Sequence, residues 1–362
     1  MMRVILVGRY AAADLVPWFM ATPMEMPVLV PDRALKCVLF IGVKGKDGKS
    51  KFKPRATGFM VRIEDHQHTW YYVVTAQHVI SGLLTKGHDV WLRINTNSGV
   101  PAELKTNPAE WAYHPDPIDS KTDVAVCPIS FDRKDAIGAF EPVPIVGKNS
   151  VAMTRAEIQR TRTGIGEEVV VTGLFRSHHG QERNIPITRI GNIAMLDTEP
   201  VKTEYCGYID AYLIEARSIG GLSGSPCFVH FPAIRTIDGK TGAHPDIKIV
   251  QLYLLGLVHG HFDIEDLNSD VVLDDERDAS SGIHAGIGVV VPVEKIIETV
   301  MQPELSMARK KIVDEDRRKS GAVADIATDA EDASPASDVN PNHRGDFTSL
   351  LNAAVKTREP KD

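Results

Sequence analysis

The sequence predicts an all-β chain, a barrel or a sandwich, and three observations carry that expectation. Between Ala34 and about Val300 the apolar runs are short and rich in Val, Ile, Leu and Tyr. Gly, Pro, Asn and Asp separate them, as turn residues separate strands. The runs do not alternate with helical patterns, so parallel βα units are not indicated, and no fixed-period repeat is present.

In order, the strand-like runs are KCVLFIGVKG (from Lys36), TGFMVRIE (Thr57), TWYYVVTA (Thr69), DVWLRIN (Asp89) and TDVAVCPI (Thr122). EEVVVTGLF (Glu167), AYLIEA (Ala211), CFVHF (Cys227), IVQLYLLGLVHG (Ile249) and GIGVVVPV (Gly286) complete the set. Two segments read as helices. AQHVISGLL, from Ala76, follows a strand directly and has room for one or two turns. PVEKIIETVM, from Pro292, spaces Val293, Ile296, Ile297 and Val300 along one helical face.

Beyond Gln302 the composition changes. Residues 304–345 are charged, alanine-rich and poor in aromatics, so after an initial helical extension disorder is expected. Residues 346–358 differ again: Asp346 can cap a helix on which Phe347, Leu350, Leu351 and Ala354 share a face. A short amphipathic helix at Asp346–Thr357, on a charged tether, is a candidate docking peptide for a partner.

The N-terminal extension, residues 1–33, has a short apolar run at Val4–Val7 that Gly8 and Arg9 close, and Asp14 and Pro17 interrupt the next one. That does not read as a secretory leader, no window is long enough to span a membrane, and the expected location is the cytoplasm. A net charge of −7 argues against a dedicated nucleic-acid binder. Cys37, Cys127, Cys206 and Cys227 form no CxxC pair, so reduced, buried thiols are expected rather than a zinc site or a disulfide framework.

SIGGLSGSPCF, from Ser218, makes a poor helix and a poor strand. Its glycines allow a turn that aims backbone N–H groups at one point, with Ser223 at its centre. A serine becomes a nucleophile when a base takes its proton and donors receive the oxyanion. The donors would be the N–H groups of Gly221 and Ser223. His78, where a β run ends and a short helix begins, is the candidate base. Asp123, an acid opening a core-like run, is the candidate carboxylate, with Asp116 and Asp119 as rivals in a proline-bearing loop.

Three further patterns read as structural. GIG at Gly164–Gly166 lacks the rest of a nucleotide loop and reads as a turn before a strand. Phe262–Asp278 is acidic without calcium-loop register. His66–His68 and His178–His179 read as hairpin loops.

TAQHV, TDVAV and GLSGSP together resemble the His, Asp and Ser motifs of trypsin-like serine peptidases, in that family's order. ATGFMV (from Ala56), LLGLVHGH (from Leu254) and GIGVVVPVEKIIE (from Gly286) are also similar, and GGLSGSP is closest to the glutamyl-endopeptidase and HtrA-like bacterial branches. The resemblance covers about residues 34–303. It implies two six-stranded antiparallel β-barrels, about 34–145 and 146–303, with a C-terminal helix and a disordered tail. It also implies a serine endopeptidase acting on protein or peptide substrates through His78, Asp123 and Ser223, without metal or organic cofactor. A peptidase-fold binding or sensor module and an esterase are the alternatives. Where secreted digestive members carry an Asp before the serine, this chain has Leu222, and no IVGG-like cleavage site is present. Arg217, Ser218, His259 and His261 are expected to form the specificity pocket, where cationic and hydroxyl groups favour a carboxylate.

Overall fold

A computed structural model describes residues 30–45, 47–115, 122–130, 140–196, 199–203, 206–216, 221–231, 234–237, 240–243, 252–263 and 284–326. Asp116, Asp119, Arg217, Ser218, most of the Phe262–Asp278 segment and the helix expected at residues 346–358 lie outside them. The account that follows concerns the unit beginning at Pro31.

The first half is one sheet. β1 (Val38–Val43) is buried along its whole length, with Leu39, Phe40 and Ile41 sealed from solvent. It pairs antiparallel with the long β2 (Lys53–Asp65), which pairs in turn with β3 (His68–Thr75). His66 and Gln67, both at positive φ, make the two-residue turn between β2 and β3, so HQH is the tip of a hairpin. β4 (Trp91–Ile94) lies beside β1, β5 (Ala102–Lys105) beside β4, and β6 (Ala112–Tyr113) and β7 (Ala125–Pro128) continue from β3. The ladder runs β5-β4-β1-β2-β3-β7-β6.

One pairing departs from the expected six antiparallel strands. β8 (Val143–Val146) joins β2 in parallel at Val61–Ile63, giving an eight-stranded sheet. The reason is the length of β2. β1 covers Lys53–Phe59 of it and β3 covers Phe59–Asp65, which leaves an edge beyond β1 for β8 to occupy.

The second half is a closed barrel. β9 (Glu168–Gly173), β10 (Ile187–Met195), β13 (Tyr212–Glu215), β14 (Pro226–His230), β17 (Leu252–Asp263) and β18 (His284–Pro292) close in the order β10-β13-β18-β17-β14-β9, all antiparallel. Closure leaves no edge to template foreign strands. β11 (Val201–Thr203) with β12 (Gly207–Ile209), and β15 (Ile234–Ile237) with β16 (Lys240–Ala243), are separate two-stranded ladders. GIG sits in the turn ahead of β9.

The helices are few. α1 (Arg33–Lys36) precedes β1, and α2 (Gln77–Thr85) follows β3 with Val79, Ile80 and Leu83 buried. α3 (Arg155–Thr161) starts at Thr154, whose side chain accepts from the Glu157 N–H. α4 (Val293–Val300) buries Val293, Ile296, Thr299 and Val300. α5 (Pro303–Ile326) then extends the helical region well past residue 303, where composition suggests the folded part ends. Leu305, Ala308, Arg309, Ile312 and Val313 make its buried stripe. Arg309 is fully buried, donating to Asp65 Oδ2 at 2.7 Å, the Tyr72 hydroxyl at 2.6 Å and the Val300 carbonyl at 2.8 Å. That clamp holds α5 against the first sheet. None of the helices among the described residues is long and apolar enough to cross a membrane.

Candidate active site

His78 is the second residue of α2, and its position follows from β3. The strand ends at Thr75, Ala76 takes an extended conformation as the helix cap, and the first helical turn turns the imidazole toward β7. Asp123 stands two residues before β7 and is fully buried. Its Oδ1 accepts the His78 backbone N–H at 2.8 Å, and its Oδ2 accepts the His78 Nδ1–H at 2.8 Å. The first bond satisfies one of the N–H groups that a helix start leaves without an internal partner. The second fixes the ring. A carboxylate only accepts, so the proton sits on Nδ1 and the neutral ring keeps its lone pair on Nε2. The His78 side chain is 22% exposed.

The structure adds a third group. His259, on β17 and 4% exposed, donates its Nδ1–H to the same Oδ2. The His78 and His259 rings meet edge to face, centroids 5.3 Å apart and planes at 76°. Asp123 therefore accepts three N–H groups, two of them from imidazoles. Burial by itself pushes the Asp123 carboxyl up, but the hydrogen bonds from His259 and His78, together with the charge those rings can carry, outweigh it. The group is held well below the usual carboxylate range.

Ser223 sits in a turn between β13 and β14, flanked by two glycines at positive φ, Gly221 (+112°) and Gly224 (+81°). Gly224 is a close approach as well as a turn. A Cβ there would stand 2.2 Å from Thr75 Oγ1 and 2.3 Å from the Thr57 carbonyl, so only glycine lets the turn press against the junction that leads to His78. Bonds from two strands, β2 and β17, and one bond within the turn hold it. The Thr57 N–H donates to the Ser223 carbonyl at 3.2 Å, and Thr57 Oγ1 donates to the Gly221 carbonyl at 2.8 Å while accepting the Leu174 N–H at 2.9 Å. The Gly224 N–H donates to the Val258 carbonyl, the Val258 N–H to the Ser225 carbonyl and the Ser225 N–H to the Leu222 carbonyl, each at 2.8 Å.

Sequence reasoning missed two of these participants. Thr57 lies in ATGFMV without any mark of its link to the turn. His259 is grouped by sequence with a specificity pocket, whereas its Nδ1 is engaged by Asp123. A histidine inside the apolar run LYLLGLVHG is the only signal, since a buried imidazole needs a partner. His261 pairs in register with Gly288 on β18.

His78, Asp123 and His259 also bring their ligating atoms within 4.8 Å of one another. The His78–Asp123 contact of 2.8 Å is closer than the roughly 3.3 Å between ligand atoms around a tetrahedral zinc with bonds of about 2.0–2.1 Å. The arrangement is that of two proton donors on one carboxylate, more compact than ligands spread around a cation.

No family profile matches the chain, and no curated protein does. Among solved structures it is similar to the MamO protease domain from Magnetospirillum magneticum, at 15% identity over 73% of this chain and 96% of that one, with a TM-score of 0.40. It is also similar to Deg5, at 13% identity over 74% of this chain and 89% of that one, with the same TM-score. The β-sheet half, the closed six-stranded antiparallel barrel and the closing helix make a mostly-β fold with few helices.

Proposed function

We propose that the chain is a serine endopeptidase in which Ser223 is the nucleophile, His78 the general base and Asp123 the group that orients His78. The observation that carries this reading is the pair of bonds from His78 to a buried, ionised Asp123, made beside the junction against which the Ser223 turn is pressed. His78 Nε2 takes the Ser223 hydroxyl proton as Oγ attacks a substrate carbonyl carbon. The oxyanion is received by the N–H groups of Gly221 and Ser223, while the carbonyls of that turn are drawn back by Thr57 and β17. His78 then gives its proton to the departing amine, leaving an acyl group on Ser223, and a water activated by His78 releases it. Asp123 stabilises the imidazolium without itself being protonated, as its lowered proton affinity requires.

The test is labelling of the full chain with a fluorophosphonate probe. Ser223 is expected to be the labelled residue, Ser223→Ala to abolish labelling, and His78→Ala to slow it at least 100-fold. A chain that stays unlabelled, or labelling that survives Ser223→Ala, would overturn the reading. Comparing turnover of an amide with that of the matching ester separates a peptidase from an esterase.

A further inference from the structure

The turn between β1 and β2, with the first residues of β2, carries a row of cations on a chain whose net charge is −7. Lys49, Lys51, Lys53 and Arg55 are exposed, while the residues between them are covered: Ser50 and Pro54 are half-buried and Phe52 is 5% exposed. The six residue steps from Lys49 to Arg55 span no more than ~20 Å. Among the described residues none of the four forms an ion pair. Lys44, at the start of the same turn, is by contrast engaged by Glu103 at 2.8 Å and by the Trp91 ring. Asp47, the acid of the turn, accepts the N–H groups of Lys49 and Ser50. Like charges held this close repel unless an anion lies across them.

The row leads to the candidate nucleophile. Thr57, two residues past Arg55, gives its N–H to the Ser223 carbonyl at 3.2 Å. The loop between β9 and β10 adds Arg176, which donates through Nε and Nη2 to the Arg55 carbonyl at 3.3 and 3.1 Å. Its Cγ lies 3.3 Å from where a Cβ on Gly221 would stand, so this cation borders the serine turn itself. Arg93 pins the loop by donating to the Gly180 and Gln181 carbonyls, and Asn95 accepts the Asn184 N–H at 2.7 Å. Glu182 and Arg183, the other charges of the loop, are exposed and of opposite sign.

We propose that Lys49, Lys51, Lys53, Arg55 and Arg176 form an exosite that holds an acidic segment of the substrate chain, several residues away from the scissile bond. That the segment belongs to a substrate rests on the serine-peptidase reading of Ser223. The residue preceding the cut is not selected by this surface. The row asks for a polyanion, and its setting favours a peptide over a nucleic acid. Single strands are held by bases stacked on open aromatic faces; here Phe52 is buried and the Lys44 amino group covers Trp91. A peptide lying on the row is led by β2 to Ser223. Each exposed charge pair is weak and screened by salt, so the surface works by adding several of them and by raising the concentration of the tethered scissile bond at the serine.

The experiment uses the full chain and two fluorophosphonates, each joined through a flexible linker of about 20 Å to a hexapeptide, of aspartate in one and asparagine in the other. The untethered fluorophosphonate runs in parallel. At about 50 mM NaCl the aspartate reagent is expected to label Ser223 at least ~10-fold faster than the asparagine reagent, and at about 500 mM the two rates should converge. Combining Lys49→Gln, Lys51→Gln and Lys53→Gln should bring the ratio of the two rates close to one; the ratio is taken within each protein, so any change in the serine's own reactivity cancels. Free hexa-aspartate should slow the aspartate reagent at least as well as an oligothymidylate of equal charge. Equal rates for the two reagents on the native chain, or a ratio that survives the three substitutions, would overturn the proposal while the peptidase reading stands. An oligothymidylate that competes ~10-fold better than hexa-aspartate would assign the row to a nucleic acid and overturn it as well. If the untethered fluorophosphonate does not label Ser223, the peptidase reading fails and the substrate exosite with it.

Discussion

Replacing Thr57 by Val tests whether the first sheet holds the serine turn in its working shape. The swap keeps the volume of a side chain that is fully buried and removes only the hydroxyl. Two bonds go with it, from Oγ1 to the Gly221 carbonyl at 2.8 Å and from the Leu174 N–H to Oγ1 at 2.9 Å. Each leaves a partner in the interior without a bond, at a cost of about 1–3 kcal/mol for a buried group. The carbonyl, which has a second lone pair, belongs at the low end. The sum, about 2–4 kcal/mol, corresponds to a fall in Tm of roughly 5–10 °C for a domain of this size. The effect on chemistry is separate. Once the Gly221 carbonyl is released, the adjoining peptide can rotate and turn an oxyanion donor away, and losing one such donor costs ~10²–10³ in rate. The assay is the second-order rate of fluorophosphonate labelling beside a thermal melt, with Thr57→Ser as the control that keeps the hydroxyl. Thr57→Ser should label within a few-fold of the native chain and Thr57→Val at least 100-fold more slowly. If Thr57→Val loses stability as calculated but labels at the native rate, Thr57 supports the fold without shaping the turn.

Three more outcomes are expected. His259→Leu should lower kcat about 10–100-fold with KM changed less than twofold, and His259→Asn should recover much of the loss, because its amide can donate to Asp123 in place of the ring; a change in KM alone would mean that His259 contacts substrate. Since the folded state holds the Asp123 carboxyl below its ordinary value of ~3.9, its contribution to stability is complete above that value and is lost as pH falls toward the folded one; the urea midpoint of the native chain should therefore fall more steeply between about pH 5 and 2 than that of Asp123→Asn, and parallel curves would refute this. Arg309→Leu should cost about 3–5 kcal/mol by leaving Asp65 without its buried partner, and hydrogen exchange should show the α5 amides losing protection; an unchanged exchange pattern would mean that the apolar stripe alone docks the helix.

Most of the strand framework is legible because its apolar runs are bounded by turn residues, as β2, β3, β7, β9, β17 and β18 show. β10 is not, and the reason is physical: Arg189 and Gly191 occupy two of its inward positions, so the alternation that would mark a half-buried strand is broken. The helical face of α5 is hidden in the same way. Arg309 interrupts the stripe of Leu305, Ala308, Ile312 and Val313, and what makes its burial tolerable is Asp65 on a remote strand. The parallel pairing of β8 depends on how far β1 runs along β2, which no local pattern encodes. The candidate triad is readable because chemistry restricts the residue types and their order. His259 is not, because its partner lies 136 residues away.

Leu222 bears on how such a site could be assembled. An acid at that position would call for a cation from elsewhere to fix the turn, and a chain could withhold that cation until it is cut. Here the residue is apolar and 3% exposed, so its side chain anchors the turn by burial. The remaining constraints are backbone bonds from β2 and β17, with Thr57 Oγ1 adding one more, each contributing about 0.5–1.5 kcal/mol. All of them come from strands whose positions are set by pairing within the sheet and the barrel. Gly224 adds a steric limit, since the turn fits against Thr57 and Thr75 only in the absence of a side chain. The shape of the Ser223 turn is thus coupled to the docking of the two halves, so the halves cannot pack together without also setting the serine beside the junction that bears His78.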